Sequence, residues 1–150
     1  MNPSWLFVIA TAIAVFGILT VFKALMANVQ SKLEEEQEIK GESLQKEQSK
    51  FFIKVIMVET IPILLIVVGF SQIGQPDIGD IQLFFPLIII VAIFIYAVTN
   101  LFIVRKETIN YGEPSQETKN FINTFLFIAI ALLSSIPTIS IVGIFLLTAS

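Results

Sequence analysis

Residues 51–73 read FFIKVIMVETIPILLIVVGFSQI. The stretch is apolar almost throughout and long enough to cross a bilayer, for which about 20 residues are needed. It also holds one carboxylate, Glu59, with Pro62 three residues later. Read as a membrane helix, it makes Glu59 the one acid within the apolar runs of the chain. A charge at the bilayer centre costs about 2.5–3.5 kcal/mol on insertion scales, so Glu59 is a functional-site candidate.

Three further apolar runs surround this one. Residues 5–27 carry a single charge, Lys23, near one end, where the ammonium can snorkel. Residues 81–104 include Pro86 and Asn100, and residues 121–148 include Pro137. The first run is preceded by no basic residue, which argues against a cleaved signal peptide. Its small residues Ala10, Ala12, Ala14 and Gly17 permit close helix packing, although alanine is also simply common in membrane helices. Composition agrees: 55% of the 150 residues are hydrophobic and 14% charged, against roughly a quarter charged in soluble domains. The expected fold is an all-α integral membrane protein with four spans.

The same composition excludes much chemistry. There is no cysteine and no histidine, so thiol nucleophiles, thiolate sites and imidazole bases are absent. No phosphate loop, metal cluster or catalytic triad is present. An enzyme, a cofactor and a nucleic-acid partner are therefore not expected. The net charge of −3 says little about partners.

Two polar segments separate the spans. Residues 28–50 contain one glycine and no proline and are rich in helix-forming Glu, Gln, Lys and Leu. They are read as an extension of the first helix to about Lys40, a turn near Gly41, and a second helix from about Glu42 or Ser43. Pairs such as Glu36 with Lys40 and Glu42 with Lys46 support solvated helices, with a disordered loop as the rival. Residues 105–120 form the other polar loop, with a turn at Gly112 and Pro114. Residues 75–80, QPDIGD, are a short link. All nine Lys and Arg lie in, or at the membrane edge of, segments 28–50 and 105–120. The positive-inside rule places both loops in the cytoplasm and both termini outside a cell membrane.

An offset of 75 residues superposes the second and fourth spans. Ile61-Pro62 then falls on Ile136-Pro137, Phe52-Ile53 on Phe127-Ile128, Phe70 on Phe145, and Glu59 on Ser134. The prolines in register weigh most, because proline inside a helix needs compensation. The chain is thus read as two tandem helical hairpins, residues 1–75 and 76–150, the first with a long cytoplasmic helical extension. Internal repeats of this kind are common in transport proteins.

Pro62 has no N–H to give the Val58 carbonyl, which stands beside Glu59 and can accept a hydrogen bond from its protonated carboxyl. Glu59 lies about 12 Å of helix beyond Phe51, inside a core about 30 Å thick. A bare charge is disfavoured there, so the carboxyl is expected to hold a proton and to release it where a cation or water is offered. Thr60 and Thr20 are candidates for added hydroxyl ligands. The plain alternative is a neutral Glu59 that bonds a neighbouring helix. Ser134 and Ser135 are read as packing or back-bonding residues. A homo-oligomer is expected, since four narrow helices can hardly hide Glu59 from lipid on every side.

The run Val58-Glu59-Thr60-Ile61-Pro62-Ile63, followed by Val67, Val68 and Phe70, resembles the outer helix of the rotor-ring c subunit of F-type ATP synthases. Two hairpins in one chain resemble the duplicated proteolipid of V-type ATPases. The resemblance implies a ring-forming subunit, with Glu59 carrying a proton and Val58, Thr60 and Pro62 around it. It also implies a stator subunit that supplies a basic residue. Sodium binders of the family add a glutamine from the first helix, and the first span has none. The chain departs from the family in lacking the dense glycine repeat of the first helix and the Arg-Gln-Pro or Arg-Asn-Pro loop. It also lacks a carboxylate in the second hairpin, where Ser134 and Pro137 stand. Alternatives are a stand-alone small transporter or channel, or a non-transporting scaffold that binds a cytoplasmic partner through residues 28–50.

Overall fold

The computed structural model describes residues 3–34, 42–73, 80–110 and 114–149. They form four helices: α1 (Ser4–Glu34), α2 (Glu42–Ser71), α3 (Asp80–Ile109) and α4 (Gln116–Ala149). Each contains a stretch long and apolar enough to cross a membrane. The chain is an all-α, multi-pass membrane protein with four spans. Helix is the form hydrocarbon imposes, since each backbone N–H and C=O must find its partner within the segment. At 30–34 residues the helices are about 45–50 Å long, so each outruns a core of about 30 Å.

The polar segment 105–120 is more helical than a loop reading allows. α3 continues through Arg105 to Ile109, and α4 starts at Gln116. Ser115 sets that start: its Oγ accepts the Thr118 N–H at 3.2 Å, as an N-cap does. Glu117 in the first turn suits the positive end of the helix. The expected extension toward Lys40, the turn near Gly41, the Glu36–Lys40 pair and the link at 75–79 lie outside the described residues.

α1 is the centre of the bundle. It packs against α2, α3 and α4, and α3 also packs on α4. Among the described residues α2 and α3 do not touch. Trp5, Ile9, Ile13, Phe16, Thr20, Lys23 and Ala27 of α1 are exposed, and their spacing of three and four residues keeps them on one face. This face is the floor of a groove between α2 and α3.

α2 and α4 run side by side and level. Phe51 meets the Phe125 ring edge-on at 5.1 Å, and Gly69 and Gly143 both lie against Phe7, each pair 74 residues apart. The fully buried Phe7 ring sits between those two glycines and meets Phe70 edge-on at 5.5 Å. A Cβ on Gly69 would come within 2.8 Å of it, and one on Gly143 within 2.5 Å. Beside it, Thr11 donates to Ser140 (3.0 Å), whose hydroxyl donates to the Phe7 carbonyl (3.3 Å).

The core divides along the membrane normal. A loop-side cluster runs from Val15 to Val29 on α1 and takes in Phe51 and Val55 of α2, Ala97 and Leu101 of α3, and α4 from Phe121 to Leu133. A far-side cluster holds Phe7, Ala10, Ile66, Ile90, Ile136 and Ile144. At the loop end, hydrogen bonds tie neighbouring helices: Gln30 to Thr108 at 3.0 Å, Arg105 to Asn123 at 2.8 Å, and Asn28 to Glu47 at 3.5 Å.

Candidate functional site: an intramembrane carboxylate

Glu59 sits in α2 between the two core clusters, past Val55 and before Ile66. At the matching height of α4, the clusters part between Leu133 and Ile136. Both helices carry a buried proline just beyond, Pro62 and Pro137. Neither proline can donate an N–H, so the carbonyls of Val58 and Leu133 lose their helical partners at this level. The middle of the bundle is therefore the level where the two clusters meet and backbone acceptors are freed.

The side of α2 that bears Glu59 is fixed by its neighbours. Phe52 stands seven residues earlier, close to two full turns, and so shares its face. Phe52 packs toward Phe125 of α4, with ring centroids 6.4 Å apart. Glu59 thus lies on the flank of α2 nearer α4 and is half-buried. Its Oε1 is buried and has no hydrogen-bond partner among the described residues. An unpaired buried oxygen costs about 1–3 kcal/mol, so the bundle holds this group at an expense.

The surrounding residues take different parts. Val58 packs where Gly17 of α1 leaves room, since a Cβ on Gly17 would collide with the Val58 side chain. Of the small residues in the first span, Gly17 thus seats α2 directly, and Ala10 and Ala14 are buried in the far-side core. Thr60 is exposed, and its hydroxyl donates to the Ile56 carbonyl at 2.8 Å. Thr20 donates to the Phe16 carbonyl at 2.8 Å. Both hydroxyls are thus bound within their own helices, and the structure does not bring them to Glu59. Ser134 donates to the carbonyls of Ile130 (2.8 Å) and Ala131 (3.0 Å), and Ser135 to that of Leu132 (2.6 Å). They back-bond to α4, as their position inside a helix leads one to expect. Among the described residues no group of acidic side chains could hold a metal ion.

Two features of the site were not singled out in the sequence. One is the buried Thr11–Ser140–Phe7 link, whose two hydroxyls stand 129 residues apart in the chain and have no local signal. The other is the freed Leu133 carbonyl, which the offset between Pro62 and Pro137 did contain. No protein-family model matches the chain, and no curated protein or solved structure matches it.

The Gly17 notch yields a prediction about α2. Gly17→Ala should push Val58 and its helix outward at a cost of about 1–3 kcal/mol, the usual scale for overpacking. The readout is a lower unfolding midpoint in detergent. Val58→Ala placed in the same chain should recover part of that loss. A double variant no better than Gly17→Ala alone would show that the notch does not set the α1–α2 distance.

Proposed function

We propose that this chain is a membrane-embedded, proteolipid-like subunit of a homo-oligomer that carries protons on Glu59. The observation that carries the reading is the buried Glu59 Oε1 without a hydrogen-bond partner among the described residues. A glutamate kept only to glue helices would have that oxygen engaged by a neighbouring helix. Here the carboxyl stands in the band between the two clusters, beside a carbonyl freed by Pro62. A proton is the cargo best suited to a site with one carboxyl and, among the described residues, no hydroxyl bonded to it.

In the resemblance to rotor-ring c subunits, the acid on the outer helix meets a basic residue of a stator subunit once per turn. By that analogy copies of this chain form a ring, and Glu59 exchanges its proton there. The lack of a carboxylate at Ser134 leaves one carrier per chain. Both termini are placed outside the cell membrane, with the 28–50 and 105–120 segments in the cytoplasm, in keeping with the distribution of Lys and Arg.

The decisive experiment is proton flux in proteoliposomes. The unmodified protein should conduct, and Glu59→Gln, which keeps the size and the neutral hydrogen-bonding capacity, should assemble yet conduct nothing. Dicyclohexylcarbodiimide reacts with protonated carboxyls in apolar surroundings and should modify Glu59 in preference to the aqueous acids. Full flux from Glu59→Gln would remove Glu59 as the carrier. Orientation is checked separately with cysteines at Ser43, Ser71, Ser115 and Ser150 and an impermeant thiol reagent on intact cells. Sites 71 and 150 should label from outside, and labelling at 43 or 115 would reverse the topology.

A further inference from the structure

Away from Glu59, at the loop end of the bundle, α1 and α3 enclose a cleft of about 320 Å³. Lys23 and Glu107 both line it, with Gln30 and Asn100. The two charges are opposite in sign, yet they form no ion pair with each other. Gln30 gives one amide N–H to Thr108 (3.0 Å), and Asn100 gives one to the Tyr96 carbonyl (2.8 Å). Each amide keeps its oxygen as an acceptor and its second N–H as a donor. One cleft thus offers a single cation, Lys23, and a single anion, Glu107.

The order of these groups along the membrane normal is informative. α1 and α3 run the same way, since Phe16 lies near Tyr96 (6.1 Å) and Gln30 bonds Thr108. Lys23 stands about 27 Å of helix from Trp5, close to the full core thickness of about 30 Å, and therefore at the edge of hydrocarbon. Glu107 is level with Gln30, about 10 Å farther out. On the other side of Lys23, toward the membrane centre, lie the exposed apolar residues Phe16, Ile13 and Ile9 in the groove between α2 and α3. By the same register Asn100 is level with Lys23, so from the centre outward the surface reads apolar, then cationic beside the Asn100 amide, then anionic beside the Gln30 amide.

We infer that this cleft is a docking site for an ethanolamine phospholipid. Its acyl chain lies along Ile9, Ile13 and Phe16, its phosphate meets the Lys23 ammonium and the free Asn100 N–H, and its primary ammonium meets Glu107 and the Gln30 amide oxygen. An anionic lipid would match Lys23 but would set its headgroup against Glu107. A choline lipid carries the same charges but no N–H to donate to Glu107 or to the Gln30 amide oxygen. The sequence of chemistries therefore favours the ethanolamine headgroup over both.

The test uses the full chain in bilayers of equal parts phosphatidylethanolamine, phosphatidylcholine and phosphatidylglycerol with identical acyl chains. Lipids that remain bound after mild detergent release are counted by native mass spectrometry. Phosphatidylethanolamine should exceed each of the others by roughly threefold, the scale that a water-facing ion pair supports. Glu107→Gln should abolish that preference, Lys23→Gln should lower retention of all three lipids, and Lys23→Arg should restore it. Equal retention of the three, a preference for phosphatidylglycerol, or a lipid-free dimer with the groove closed by a second copy would each overturn the assignment. So would a Glu107→Gln variant that keeps the preference.

Discussion

Gly143→Leu is expected to undo the far half of the bundle. The Phe7 ring is fully buried, with Gly69 on α2 and Gly143 on α4 pressed against it and Phe70 meeting it edge-on. A single Cβ at position 143 already lies 2.5 Å from Phe7 Cζ and 2.6 Å from Cε1. Leucine adds three more carbons in the same place. The ring cannot retreat toward α2, because Gly69 offers no more room than Gly143 does. The variant should lose at least the upper end of the usual overpacking cost, about 3 kcal/mol. Phe7→Ala should destabilise by the opposite route, leaving a void. In soluble cores such a deletion costs about 3–5 kcal/mol. Part of that is transfer from water, which lipid-embedded helices do not recover, so about 2 kcal/mol is expected here. The two changes should compensate: Gly143→Leu in a Phe7→Ala background fills the void. The readout is the unfolding midpoint in detergent for the two single variants and the pair. A Gly143→Leu protein with an unchanged midpoint would mean that Phe7 is not held between the glycines.

Glu59→Leu should have the reverse character, a gain in stability with complete loss of flux. The buried Oε1 has no partner among the described residues, and an unsatisfied buried oxygen costs about 1–3 kcal/mol. Leucine has similar bulk and removes that cost. Glu59→Gln keeps a polar group in the same place and should leave the midpoint nearly unchanged. Functional sites are commonly kept at such a loss of stability. If Glu59→Leu instead unfolds the bundle or breaks its oligomer, the carboxyl is a structural tie between helices and the carrier reading fails.

Much of the architecture was legible because lipid leaves few choices. Four runs of apolar residues with one acid between them dictate four helices and single out Glu59. Pro62 and Pro137 were legible as prolines inside membrane helices, and the side-by-side residues of α2 and α4 stand 74 apart, as Phe51 and Phe125 do, one fewer than the sequence offset of 75. The rest depends on side-chain shape across distant segments. Gly17 was visible as a small residue, but that Val58 packs against it comes from the α1–α2 crossing alone. Thr60 looked like a ligand because it adjoins Glu59, and Thr20 because of its type, yet back-bonding to their own helices is the nearer option for a hydroxyl in hydrocarbon. The 105–120 segment read as a loop because it is polar, while its Arg, Lys, Glu and Gln are good helix formers and Ser115 caps the start of α4.

The central place of α1 bears on how the protein is made. α1 precedes the other helices in the chain, so it leaves the ribosome before any of the three that will cover it. During synthesis its Phe7, Ile18 and Phe22, fully buried in the end, must wait in lipid or against the insertion machinery. α2 emerges after a short interval and can dock through the Gly17 notch, but α4, which closes the Phe7 socket with Gly143, arrives last. The nascent hairpin of α1 and α2 is then a template with one wall missing. Errors in α4 should be caught only after α1, α2 and α3 are in place, as chains that insert correctly and are degraded for want of closure.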